Sequence, residues 1–457
     1  EYELAPMYKT DFITDYALNW LNEPLEKEDP FFLYLPYHAA HYPLQARPED
    51  IAKYRGAYKK GWDAIRQERF AKMKALGVLP EGTKLSPPEG NLNTKRGPLK
   101  PSYTDYYPWD SLSEAEQDSL DLEMAVYAAI IDRMDQNIGR VLDKLRATNQ
   151  LENTIIMFLV DNGACPFLTN KVKDVAPGPA NSYWSMRSTW ANLANTPYRQ
   201  YKQAGHEGGS HTPFIVHWPD KLQSNTVVEE PVISLDVLYS AIKRAGAPET
   251  VLSELDGVDI FPTQGFDNSA LMSRPLFWRF WNQSAVRLGN YKYLKMGAEH
   301  EFLFDMSLDE TLSNNLMSDM PDKADELKSL YEAWNAAMYR QPQQDSLNSQ
   351  EREWVSFHTT WDLKSDAASV SPATWAARRR VCSWDSPKLC WRSSFLADKA
   401  DSAATRASAE RFAIWPRRWC GGVWETMPVF GAAIPSVPVM CRMMSVSSPV
   451  SLVSDFI

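Results

Sequence analysis

The sequence predicts an α/β fold: a mixed sheet set between helices, followed by a smaller antiparallel sheet with one helix. Three observations predict it. The fully apolar run Phe31-Phe-Leu-Tyr-Leu-Pro-Tyr37 has the character of a buried parallel strand. A long helical pattern opening at Ser113 leads through Asn153 into a second apolar run, Thr154 to Val160, which is the αβ unit of a helix-covered sheet. Further on, Ala285 to Lys295 reads as a hairpin with Gly289-Asn290 at its turn.

The elements follow in order. Thr10 to Leu21 has apolar positions at helical spacing, and Pro30 introduces the first strand. Residues 48 to 110 are rich in Lys, Arg, Pro and Gly and read as helix pieces with a partly solvated excursion. Ser113 and Glu116 make a capping box. Behind it, Tyr127, Ile131, Met134, Ile138, Val141 and Leu145 form one buried stripe. Pro213 to Trp218 is a strand closed by Pro219, and 233 to 245 a helix ended by Gly246. Glu301 to Asp305 is a short strand, and 321 to 339 a last helix with Leu327, Leu330, Tyr331 and Trp334 inward.

After about Gln350 the pattern breaks. Eight of the 17 Trp lie there, with Arg378-Arg-Arg380 and no sustained period. Local signals agree on no fold, so the tail 348–457 is expected to be irregular, either read out of frame or an unrelated extension. The remainder divides into 1–260, the larger α/β part, and 261–347, a small α+β subdomain.

Composition excludes several classes. With 44% hydrophobic and 23% charged residues the chain is globular. A formal charge of -10 argues against nucleic acid as a partner, and no apolar run is long enough to span a bilayer. Cys165 stands alone in the first 381 residues, and Cys382, Cys390, Cys420 and Cys441 follow neither a disulfide framework nor a zinc spacing.

Three constellations could carry chemistry. Asp161-Asn162-Gly163 ends an apolar strand, where ligand sites form in open α/β sheets. Its side-chain oxygens suit a hard cation, though the same tripeptide is good turn chemistry. Tyr37-His38-Ala-Ala-His41-Tyr-Pro-Leu-Gln45 places histidines at a strand end, where one can protonate a leaving group. Lys202, ahead of His206-Glu-Gly-Gly209, offers a positive charge and close backbone approach to an oxyanion, or is simply a solvated lysine before a turn.

These segments occur in a telling order. Phe31 to Gln45, Asp161-Asn162-Gly163, Tyr201 to Gly209 and Thr212-Pro-Phe-Ile-Val-His-Trp-Pro219 are followed by Leu255-Asp-Gly-Val-Asp259, Arg274-Pro-Leu-Phe-Trp278, Val286-Arg-Leu-Gly-Asn-Tyr-Lys292, Leu303-Phe-Asp-Met306 and Asn315-Leu316. Over about residues 8 to 340 the chain resembles the arylsulfatases, of the alkaline-phosphatase-like superfamily. The resemblance implies that superfamily's mixed sheet and hydrolysis of a small-molecule sulfate ester or sulfated sugar. It implies His41 beside the ester, assisting the leaving group, with Ala40 where the family usually has Pro. His38 does not match and is read as structural. Asp161 and Asn162 are implied as ligands of Ca2+ or another divalent cation, Lys202 as a contact to sulfate oxygens, and His206 and Glu207 as shaping the loop.

The departures are equally definite. The family nucleophile is a formylglycine made from the Cys or Ser of a C/S-x-P/A-S-R element, and no such element occurs in residues 1–457. Cys165-Pro166-Phe167 lacks the Ser and the Arg. Two further acidic ligands, a Lys and a His belong to the same absent stretch. The expectation is therefore an N-terminally truncated, inactive chain, with strands 31–37 and 154–160 left with apolar faces and open edges, prone to aggregate or order only in part. A phosphonate or phosphodiester hydrolase of the same superfamily is the alternative. The compartment stays open, a periplasmic or secreted one being compatible with the resemblance.

Overall fold

A computed structural model of the chain describes residues 7–87, 91–92, 105–106, 108–172, 174–261, 269–280, 283–296, 300–338 and 440–445. By contacts the chain divides into residues 1–368 with 437–457, and 369–436. The second unit lies outside the described residues, as does most of the tail expected to be irregular.

Helix α1 (Lys9–Lys27) turns Thr14, Ala17 and Leu21 inward. After it come α2 (Pro48–Tyr54), α3 (Trp62–Ala75) and a two-residue parallel pairing of β1 (Asn91–Leu92) with β2 (Asp105–Tyr106). Helix α4 (Glu114–Ala147) is the axis of this half. Its capping box forms as expected, Glu116 N–H donating to Ser113 Oγ and Ser113 N–H to the Glu116 carboxylate. Of the predicted stripe, Met134, Val141 and Leu145 are buried and Tyr127, Ile131 and Ile138 half-buried, while from Leu120 to Ile130 nearly every residue is buried. The reason is that Ile51 and Tyr54 of α2 pack with Val126, Ala129 and Ile130, while Trp62, Trp109 and Trp190, mutually at 4.9 to 5.8 Å, pack with Leu120, Met124, Ala125 and Ala128. Even Glu123 is interior there, held by Arg187.

Strand β3 (Ile156–Leu159) leads to α5 (Ser188–Ala194), α6 (Glu207–Ser210), β4 (His211–His217), β5 (Thr226–Ile233), α7 (Ser234–Arg244) and α8 (Glu249–Leu252). Gly246 ends the α7 region with φ +81°, as expected of a C-terminal glycine. After α9 (Ser269–Ser273), strands β6 (Leu276–Phe280), β7 (Gln283–Leu288), β8 (Tyr291–Met296) and β9 (His300–Asp305) make an antiparallel meander. Gly289, at φ +59°, turns the predicted hairpin. Helix α10 (Pro321–Ala337) lays Leu327 and Tyr331 on Val286, Tyr293 and Leu303.

Two expectations change. The run Phe31–Tyr37 is extended but joins no strand among the described residues. Phe31, Leu33 and Leu35 pack against Leu21 and the end of α4, whereas Phe32 and Tyr34 are 69% and 74% exposed. A strand buries both faces only when neighbours cover both, and among the described residues nothing covers the face that carries Phe32 and Tyr34. Second, the Asp161 turn is expected at a strand end of the kind where open α/β sheets form ligand sites, a parallel-sheet rule that β3 does not meet in the described sheet, since β3 pairs antiparallel with β4. Within the tail, Met440–Ser445 forms β10, lying parallel to β4 and antiparallel to β5.

Candidate active site

Three glycines assemble the site. Gly163 follows Asp161-Asn162, and a Cβ on it would stand 1.7 Å from the Gly208 carbonyl oxygen. A Cβ on Gly208 would stand 2.1 Å from the Gln200 oxygen, and one on Gly209 2.2 Å from the Ala204 oxygen. Backbone therefore lies directly on backbone. Gly163 N–H donates to Gly209 O at 3.2 Å, and Lys202 N–H to Ala164 O at 3.0 Å. Asn195 ties both sides, its Oδ1 accepting from Ala164 N–H and its Nδ2 donating to Gln200 O, each at 3.0 Å. The Asp161 turn and the Lys202 loop are thus one rigid unit.

This corrects the expected role of the glycine pair. Gly208 N–H already donates to Arg199 O and Gly209 N–H to His206 O, so these amides are spent internally and do not face an oxyanion. What the pair provides is close approach of main chain to main chain.

His41 lies on the turn after the extended run, its Nδ1 2.7 Å from Tyr42 O. Partial burial, then the Lys202 cation, lowers its pKa, with Asp161 pulling the other way. The structure thereby brings His41, Asp161 and Lys202 within electrostatic reach of one another. Asp161 is exposed, and Asn162 and Lys202 are half-buried. Among the described residues no carboxylate ion-pairs with the Lys202 ammonium. His38 hydrogen-bonds Lys9 at 3.0 Å and stays exposed. Burial pushes the Cys165 thiol up to about 11, against lowering by a backbone hydrogen bond at Phe167 and by Lys202, which disfavours the reactive thiolate at neutral pH.

Glu207 anchors the loop from behind. Its carboxylate bonds the Lys292 ammonium at 2.5 Å and lies 3.2 Å from His211 Nδ1. Burial alone would raise the Glu207 pKa; Lys292 and His211 overcome it and hold the group far below the usual carboxylate range. Lys292 comes from β8, is fully buried and sits 5.0 Å over the Trp278 ring. Sequence reading placed Lys292 only in a hairpin motif and passed over Asn195 and His211. Lys292 and Lys295 stand three positions apart in β8 and so point to opposite faces, and nothing in their spacing marks Lys292 as the interior one.

Asp161 and Asn162 offer oxygen donors of the type a hard cation takes. Among the described residues no group of three His, Cys, Asp or Glu stands together as a metal cluster. These residues fit part of such a site and do not complete one.

A protein-family model described as Sulfatase matches residues 2–247. An uncharacterized sulfatase of Schizosaccharomyces pombe is 30% identical over 353 residues, 71% of this chain and 61% of the relative. An arylsulfatase of Klebsiella aerogenes is 31% identical over 235 residues, 48% of this chain and 47% of the relative. The chain thus spans between about half and three fifths of the length of these curated relatives. A crystal structure described as Ps i-CgsB in complex with k-i-k-neocarrahexaose superposes with TM-score 0.49 at 20% identity, covering 78% of this chain and 60% of that one.

Proposed function

The chain belongs to the sulfatase family, and from that premise we propose that the whole protein hydrolyses sulfuric esters in the manner of an arylsulfatase. One observation supports this reading above others: the glycine-on-glycine contact that fixes Asp161-Asn162 beside Lys202, with His41 electrostatically coupled to both.

Lys202, with no carboxylate partner among the described residues, presents its cation to sulfuryl oxygens, where charge grows as the ester bond breaks. His41 holds a proton for the departing oxygen. Its pKa is depressed in the free site, and the arriving sulfate anion raises it, so substrate itself favours the protonated form. Asp161 and Asn162 would hold a divalent cation in part, and the cation would supply further positive charge to the ester. No C/S-x-P/A-S-R element occurs in residues 1–457, so the reading assigns the formylglycine, which supplies the attack on sulfur, to residues outside them.

The test uses the natural full-length enzyme with an aryl sulfate and an aryl phosphodiester in parallel. Lys202→Ala is expected to lower kcat on the sulfate by about 10²–10³, and His41→Ala by about 10²–10⁴. Faster turnover of the phosphodiester would transfer the protein to phosphoester chemistry. Residues 1–457 alone are expected to show no turnover above a Lys202→Ala control and to bind calcium more weakly than about millimolar.

A further inference from the structure

A second cation, Lys171, is linked to the His41 turn through two tyrosines. The His41 ring stacks on Tyr42 at 4.3 Å and 30°. Tyr42 meets Tyr183 edge-on at 6.1 Å. The Lys171 ammonium lies 4.5 Å over the Tyr183 ring and 3.4 Å from its hydroxyl. Three successive contacts therefore lead from the imidazole to the ammonium.

The scaffold under these groups is firmly built. Lys171 N–H donates to Tyr183 O at 3.2 Å, and Ser185 N–H to Thr169 O at 3.0 Å, folding the loop on itself. Ser185 Oγ closes it further through Phe167 O at 2.6 Å. The loop is then stitched to the chain just past His41: Leu44 N–H donates to Trp184 O, and Gln45 Nε2 to Ala180 O and Ser182 O. Tyr183 and Lys171 are thus fixed relative to the turn that carries His41.

Lys171 is exposed, and among the described residues no carboxylate pairs with it. On a chain of net charge -10, such a lysine seated on an aromatic face is a local field of the opposite sign. Lys202 is placed to take the charge of the ester undergoing cleavage. A second cation on a flat tyrosine surface serves a second charge on a ring-shaped leaving group.

The geometry points to an anion subsite at Lys171 and Tyr183 that selects sulfate esters carrying a second anionic group, the chemistry of a multiply sulfated or carboxylated oligosaccharide. This selectivity rests on the sulfatase reading above. An aryl monosulfate has no second anion and gains nothing from Lys171.

In the natural enzyme, Lys171→Ala is expected to lower kcat/KM on a disulfated disaccharide about ten-fold, through KM, as loss of one charge-assisted contact does. Turnover of an aryl monosulfate should not change, and Lys171→Arg should restore the disaccharide rate. Equal losses on both substrates, or none on the disaccharide, would overturn the subsite. Equilibrium titration with the same disaccharide separates the two readings. About ten-fold weaker binding by Lys171→Ala supports the subsite even where neither ester is hydrolysed, an outcome that removes the sulfatase reading alone. Equal affinities remove the subsite even where hydrolysis proceeds.

Discussion

The β6–β9 meander and the extended run Phe31–Tyr37 are similarly apolar in sequence and differ completely in burial. The meander is covered on both faces. Leu276, Trp278, Leu294, Phe302 and Phe304 pack on one side, and Val286, Tyr293 and Leu303 meet α10 on the other. The run keeps only Phe31, Leu33 and Leu35 inward, while Phe32 and Tyr34 face outward near a helix that also leaves Phe12, Tyr16 and Trp20 exposed. Hydrophobicity sets what a segment stands to gain from burial, and the neighbours decide whether it is buried.

Substitutions can break this contrast. The largest effect is expected at the charge the meander sends into the site. Lys292→Met strands Glu207 in the interior and should cost about 3–5 kcal/mol. The double variant with Glu207→Gln should recover much of it, measured by denaturant midpoint. Next, Leu303→Ala, in the closed sheet, should cost about 3 kcal/mol. Gly163→Ala should cost about 2 kcal/mol or more, because its Cβ meets main chain that cannot rotate away. It should also abolish turnover in the natural enzyme.

A smaller effect depends on pH. Burial favours the neutral Asp11 acid, but hydrogen bonds from Arg133, Asn137 and Arg47 overcome it and bring the pKa down to about 2. The folded value lies below the unfolded one, about 3.9. The ionised group's contribution is therefore complete above about pH 4 and is lost as pH falls through 2. Asp11→Asn should remove about 2 kcal/mol near neutral pH and flatten the acid limb of a stability profile. Smallest of all, Phe32→Ser should move stability by no more than about 0.5 kcal/mol. A loss comparable with Leu303→Ala would show that the open face is covered in solution.

Much of the fold was legible because its signals are local. The Ser113–Glu116 box, the Gly289 turn and the period of α10 each involve residues a few positions apart. The candidate site was legible only as residue types in motif order, His41, Asp161, Asn162 and Lys202, whose roles belong to the proposed function. It was not legible in Asn195, Lys292 and His211. Asn195 bonds across 31 residues to Ala164, and Lys292 across 85 to Glu207. Nothing in the spacing of either residue announces its partner.

The sequence by itself determined the α/β class, the meander with its helix and the residue types that could meet a sulfate ester, because propensity, turn chemistry and motif order act along the chain. Only the tertiary structure decided that the Gly-Gly amides are consumed internally, that Gly163 serves close approach, and that Phe32 and Tyr34 stay outside. Each of these depends on which distant backbone or side chain arrives alongside, and that is fixed by packing in three dimensions.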